Sequence, residues 1–153
     1  MKVIFLDFDG VLNSAKYLEE KERFGFAIDP ARMVLLKQIV DATDAKIVLS
    51  TSWREHWSKD PLQCDSTGEI INSFFGEFGL QIFDKTPELS TKRENEIRSW
   101  LDTHTDIEGF VILDDRILFA EYLNGHFVKT SGYFEGLDET DVQDAIWILT
   151  NQG

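Results

Sequence analysis

The chain has 153 residues, 42% hydrophobic and 28% charged, with a net charge of −13. This length supports a single core, hence one domain over residues 1–153, and the acidity excludes an extended non-specific nucleic-acid surface, which would draw its affinity from Lys and Arg releasing counterions. No apolar run nears the roughly 20 residues of a bilayer span and the lone Cys64 closes no internal disulfide, so a cytoplasmic protein without a membrane partner is expected.

Residues 2–6, K-V-I-F-L, are short, apolar and β-branched at the centre, the pattern of a strand buried on both faces of a parallel sheet. Asp7 and Asp9 follow directly. Pro30 opens a helix whose Met33, Leu35, Leu36, Ile39 and Val40 recur at helical spacing. A second strand, Lys46 to Leu49, runs into S-T-S-W-R. Beyond a loop, Ile70, Ile71, Phe74, Phe75 and Phe78 mark a helix stripe that Gly79 ends. Leu80 to Phe83 reads as a third strand, Glu94 to Leu101 as part of a helix, and Phe110 to Leu113 as a fourth strand stopping at Asp114-Asp115. A helix at Ile117 to Leu123, a strand at His126 to Lys129 and a helix from Glu139 to Leu149 complete the chain. The alternation predicts an α/β fold, a doubly wound, Rossmann-like, three-layer arrangement of about five parallel strands with helices on both faces.

In such a sheet, ligands bind beyond the carboxyl ends of the strands, and three of these ends carry polar clusters. Asp7 and Asp9 sit at i and i+2 of an extended segment, so both can face one ligand while Phe8 points into the core. Two carboxylates this close repel unless a hard cation or a shared proton relieves them, and Mg²⁺ is the natural partner. Ser50, Thr51 and Ser52 supply hydroxyl and amide donors for phosphate oxygens, or alternatively the cap of a helix. Asp114 and Asp115, closing an apolar strand, also call for a cation. The positive charge that a phosphoryl transition state requires comes from Lys85, Lys92 or Arg93, of which Arg93 stands just before a helix and can turn back to the site. Trp53 reads as structural, and Arg54 as a solvated charge or a supporting phosphate contact.

The order D-F-D-G-V-L, Ser50, Arg93 and D-D resembles the haloacid dehalogenase (HAD) superfamily of phosphatases. The resemblance implies Asp7 as a nucleophile forming an aspartyl-phosphate, and Asp9 as general acid and base with its backbone carbonyl also reaching Mg²⁺. It further implies Ser50 and Arg93 as phosphate holders, Asp115 as a direct Mg²⁺ ligand, and Asp114 as either a support of the site or a group that orients the basic residue. The D-D-R form looks most like deoxynucleotidases and polynucleotide phosphatases. S-T-S-W-R, Thr86-Pro87, R-E-N-E-I-R-S-W-L and the late H-F-V-K-T are similar to the phosphatase-like domain of Swiss army knife RNA-repair proteins. Residues 14–28 and 55–69 have room for a flap or loop but not for a separate cap domain. An open site suits a nucleotide or nucleic-acid-end phosphate, or a pocket completed by a second copy of the chain. A sugar phosphate or other small metabolite, and a non-catalytic Mg²⁺- and phosphate-binding regulator, stand as alternatives.

Overall fold

The computed structural model describes residues 1–22 and 27–151. Among them, β1 (Lys2–Leu6), β2 (Lys46–Leu49), β3 (Ile82–Lys85), β4 (Gly109–Asp114) and β5 (Phe127–Lys129) form a parallel sheet in the order β3-β2-β1-β4-β5. Five helices accompany them: α1 (Ala15–Glu20), α2 (Pro30–Thr43), α3 (Ser66–Glu77), α4 (Arg93–Asp102) and α5 (Glu139–Thr150). The expected α/β architecture is therefore observed. No described helix is long and apolar enough to cross a membrane.

Alternation along β1 divides the core. Ile4 and Leu6 join the layer built with Met33, Leu36 and Ile39 of α2, Ile71 and Phe75 of α3, and Val142 and Leu149 of α5. Val3 and Phe5 join the opposite layer, with Ile97 and Trp100 of α4. Every central strand is thus covered on both faces, which explains why β1 reads as continuously apolar.

Register places the site. Leu6 is paired with Leu49 on one side and Leu113 on the other, so Asp7, Ser50 and Asp114 stand at one level of the sheet. The ladder carries one residue further: Asp7 N donates to Leu113 O at 3.1 Å and Ser50 N to Leu6 O at 3.0 Å. Strand order reverses direction at β1, and an open sheet has its crevice where that happens, here between β1 and β4.

Several local expectations shift. β3 begins two residues later than read, because Leu80 is spent closing the end of α3, its amide donating to Phe75 O at 3.0 Å. Ile70 is 57% exposed, and the buried stripe of α3 runs through Ile71 and Phe75 instead. No helix forms at 117–120; only Glu121–Leu123 makes a 3-10 turn, and the preceding loop is tied to α4 by Phe119 N donating to Glu94 Oε2 at 2.9 Å. Asp114 belongs to β4 itself and is fully buried. The segment 14–28 contains α1, capped by Ser14, and lies partly outside the described residues. The segment 55–69 holds short 3-10 turns and the start of α3.

Candidate active site

Asp7, Arg93, Asp114 and Asp115 converge at the crevice. Arg93 opens α4, and its Nη1 lies 3.0 Å from Asp7 Oδ2 and 2.7 Å from Asp114 Oδ2, all three side chains being nearly excluded from solvent. The helix that carries Arg93 is fixed on two sides. Glu94 binds the loop after Asp115, and Glu96 pairs with Arg54 at 2.9 Å while accepting Leu89 N at 2.8 Å. Asp7 Oδ1 accepts the Phe8 amide and Asp114 Oδ1 the Arg116 amide, both at 2.9 Å. Asp7, Asp114 and Asp115 each present one carboxylate oxygen within 4.8 Å of the others.

Asp115 is cradled between two glycines. A Cβ on Gly10 would stand 2.2 Å from Asp115 Oδ2, and one on Gly132 would stand 2.3 Å from it. Gly10 also has φ +85°, a conformation L side chains avoid, and its carbonyl is held by Thr130 Oγ1 at 2.6 Å. Gly10→Ala should therefore displace the Asp115 carboxylate. A loss of about 1–2 kcal/mol in stability is expected from the backbone strain. Divalent-cation affinity, measured by calorimetric titration, should fall roughly tenfold or more; unchanged affinity would deny Asp115 a part in holding the ion.

Other sequence candidates are placed differently. The Asp9 carboxylate is exposed, Oδ1 accepting Asn13 Nδ2 at 3.1 Å and Oδ2 accepting Trp53 Nε1 at 2.9 Å. Spacing alone missed these two donors, because the turn at Gly10 and the β2 loop bring them in. Ser50 Oγ is fully buried with no hydrogen-bond partner among the described residues, whereas Thr51 Oγ1 caps the following 3-10 turn by accepting Trp53 N at 3.3 Å. Arg54 is not a solvated charge. It is buried, donating to the carbonyls of Thr51, Thr86 and Pro87, and so clamps the β2 and β3 loops together. Lys85 is likewise committed, to the carbonyls of Arg54 and Trp57, and Lys92 is exposed at the cap of α4.

Residues 3–142 match the family described as the HAD domain in Swiss Army Knife RNA repair proteins, a stretch that contains all of the sheet but Lys2 and every residue of the cluster. The chain belongs to that family. No curated protein and no solved structure matches it. Membership supports a phosphatase-type hydrolase in general terms, and the acidic triad of this HAD domain is compatible with a bound metal.

The electrostatics of the HAD site follow from its dryness. Burial raises the Asp7 carboxyl from an ordinary 3.8 to about 7; Arg93 pulls against this, while Asp114 and Asp115 push with it. Burial and then Asp114 also raise Asp115. A group whose folded pKa exceeds its unfolded value binds its proton more tightly in the native state, so the stability it confers is present below pH 3.8 and is lost as pH rises through 7. In EDTA the melting temperature should therefore be lower at pH 8 than at pH 5, and divalent cation should restore it at pH 8, where the ligands are deprotonated. An equal or higher melting temperature at pH 8 without metal would contradict the burial argument.

Proposed function

We propose that this HAD domain is a Mg²⁺-dependent phosphomonoesterase working through an aspartyl-phosphate on Asp7, with a nucleotide or nucleic-acid-end phosphate as substrate. The observation that carries the reading is the meeting of Asp7, Arg93, Asp114 and Asp115 at the β1–β4 crevice, one strand from the orphaned Ser50 hydroxyl.

Such a hydroxyl, dry and unpartnered, incurs a desolvation penalty that a phosphoryl oxygen accepting from it would remove. Asp7 is placed to attack phosphorus, forming its own P–O bond as the bond to the leaving oxygen breaks. Arg93 supplies fixed positive charge to the phosphoryl oxygens and is pre-oriented by Asp114. Asp9, at the exposed edge, gives a proton to the leaving oxygen and then takes one from the water that attacks the phospho-enzyme. Inorganic phosphate departs and the Asp7 carboxylate is regenerated. Asp7, Asp115 and the Asp9 backbone carbonyl would hold Mg²⁺, with Asp114 supporting them. When bound, the ion neutralises the carboxylates and the charge on the phosphoryl oxygens.

The substrate class is supported by the form of the mouth. Among the described residues, neither α1 nor the short 3-10 turns Ser52–His56 and Pro61–Gln63 make a lid large enough to enclose a small metabolite, which favours a polymer end. The net charge of −13 confines contact to that end. Release of inorganic phosphate from 3′- and 5′-phosphorylated oligonucleotides, mononucleotides and sugar phosphates, with Mg²⁺ and with EDTA, tests the reading. Mg²⁺-dependent hydrolysis favouring the oligonucleotides is expected. Preference for sugar phosphates would overturn the substrate class, and Mg²⁺-dependent ligand binding with no hydrolysis would make the protein a regulator.

A further inference from the structure

Two large adjacent rings, Tyr133 and Phe134, stand in solvent on the turn that follows β5. Tyr133 is 51% and Phe134 64% exposed, with centroids 4.8 Å apart and planes at 82°. They directly follow Gly132, where a Cβ would stand 2.3 Å from Asp115 Oδ2, so the backbone that bears them runs within two residues of the carboxylate cluster.

The turn that bears the rings is held from both sides. Ser131 and Gly136 close it by an antiparallel bridge, Gly136 N donating to Ser131 O at 2.7 Å. The carbonyls of Gly132 and Tyr133 accept the amides of Ala15 and Lys16, each at 2.9 Å, tying it to the start of α1. A paired, backbone-fixed turn presenting two adjacent aromatic rings forms a stacking surface with little left to order on binding.

We propose, resting on the phosphomonoesterase reading above, that Tyr133 and Phe134 are specificity-determining residues on which the base of the substrate's terminal nucleotide stacks. Every nucleobase offers a π-face, so stacking accepts any sequence. It also requires none of the backbone-tracking cations that a chain of net charge −13 lacks. A sugar phosphate has no flat face to cover the rings, whereas a nucleotide carries one a single sugar away from the phosphate. The exposed Lys16, whose amide is paired to Tyr133, adds one cation at the same edge for the next phosphodiester.

The test compares kcat/KM for a terminally phosphorylated dinucleotide, the same molecule with an abasic terminal residue, and glycerol phosphate. The proteins are wild type, Tyr133→Phe, and the double variant Tyr133→Ala/Phe134→Ala, with melting curves to verify folding. The double variant should lower the ratio of dinucleotide to glycerol phosphate kcat/KM by roughly tenfold, chiefly through KM. Tyr133→Phe should keep the ratio, and the abasic substrate should be insensitive to all variants. An unchanged ratio, or an equal fall on every substrate, overturns the proposal. Wild-type hydrolysis of glycerol phosphate without preference for the dinucleotide over its abasic form would overturn it while leaving the phosphatase reading intact. Should no substrate be turned over, the catalytic reading fails instead. Calorimetric binding of the dinucleotide to wild type and double variant then decides the platform separately: equal affinity refutes it, a roughly tenfold weaker double variant supports it.

Discussion

Asp7→Asn is expected to abolish phosphate release, by a factor on the order of 10⁴ or more, while making the metal-free protein more stable at pH 8. The two effects share one cause. Asp7 is nearly solvent-free and lies among carboxylates, so its ionised form is held in the fold against a cost that the amide does not incur. Asn keeps the shape and can still accept the Phe8 amide, and Arg93 keeps Asp114 as a partner. A gain of about 1–3 kcal/mol at pH 8, shrinking towards pH 5 as the wild-type carboxyl takes its proton, is the expected balance after losing the Asp7–Arg93 pair. Melting curves in EDTA at both pH values and phosphate release with Mg²⁺ measure the two halves. Unchanged turnover would remove Asp7 as nucleophile; lower stability at pH 8 would mean that pairing with Arg93 outweighs burial.

The sheet and the position of its polar ends are legible in the sequence for a local reason. A doubly covered strand must be apolar throughout, so the first polar residue after K-V-I-F-L or V-I-L marks where the core stops. β3 is less legible because its Asp84 and Lys85 look like loop residues. Asp84 accepts Trp100 Nε1 at 2.9 Å and Lys85 donates to Trp57 O at 2.6 Å, partners that no local pattern shows. The fixing of Asp9 by Asn13 and Trp53, and the clamp made by Arg54, escape for the same reason: their meaning lies in contacts across loops. Ile117 to Leu123 misleads in the other direction. Its apolar residues suggest a helix, yet Ile117 and Phe119 are 66% and 80% exposed and the backbone is held by Glu94. The rings of Tyr133 and Phe134 carry no periodicity at all, and only their attachment to Gly132, the neighbour of Asp115, gives them a candidate role.

Arg93→Ala is expected to damage the fold and the chemistry together. It removes the cation between Asp7 and Asp114, leaving two buried carboxylates without their shared partner. Breaking one side of a buried ionic network costs about 3–5 kcal/mol, well above a typical exposed pair, because the remaining charge stays desolvated. The loss should be largest in EDTA at pH 8 and smaller at pH 5, where Asp7 is protonated. Divalent cation should recover more melting temperature in the variant than in wild type, since the ion then becomes the main charge opposing the carboxylates. Phosphate release, normalised to folded protein, should fall roughly 10²–10³-fold, in keeping with loss of a fixed donor to the phosphoryl oxygens. Arg93→Lys separates charge from shape: it should recover part of the stability and less of the activity, because an ammonium cannot span two carboxylates in the planar geometry of the guanidinium. A double-mutant cycle with Asp7→Asn completes the argument. In the Asn background one of the two carboxylates is gone, so Arg93→Ala should cost about 1–3 kcal/mol less than in wild type. Strict additivity would show that Arg93 and Asp7 are neighbours without energetic coupling, and the charge balance argued for the crevice would fail.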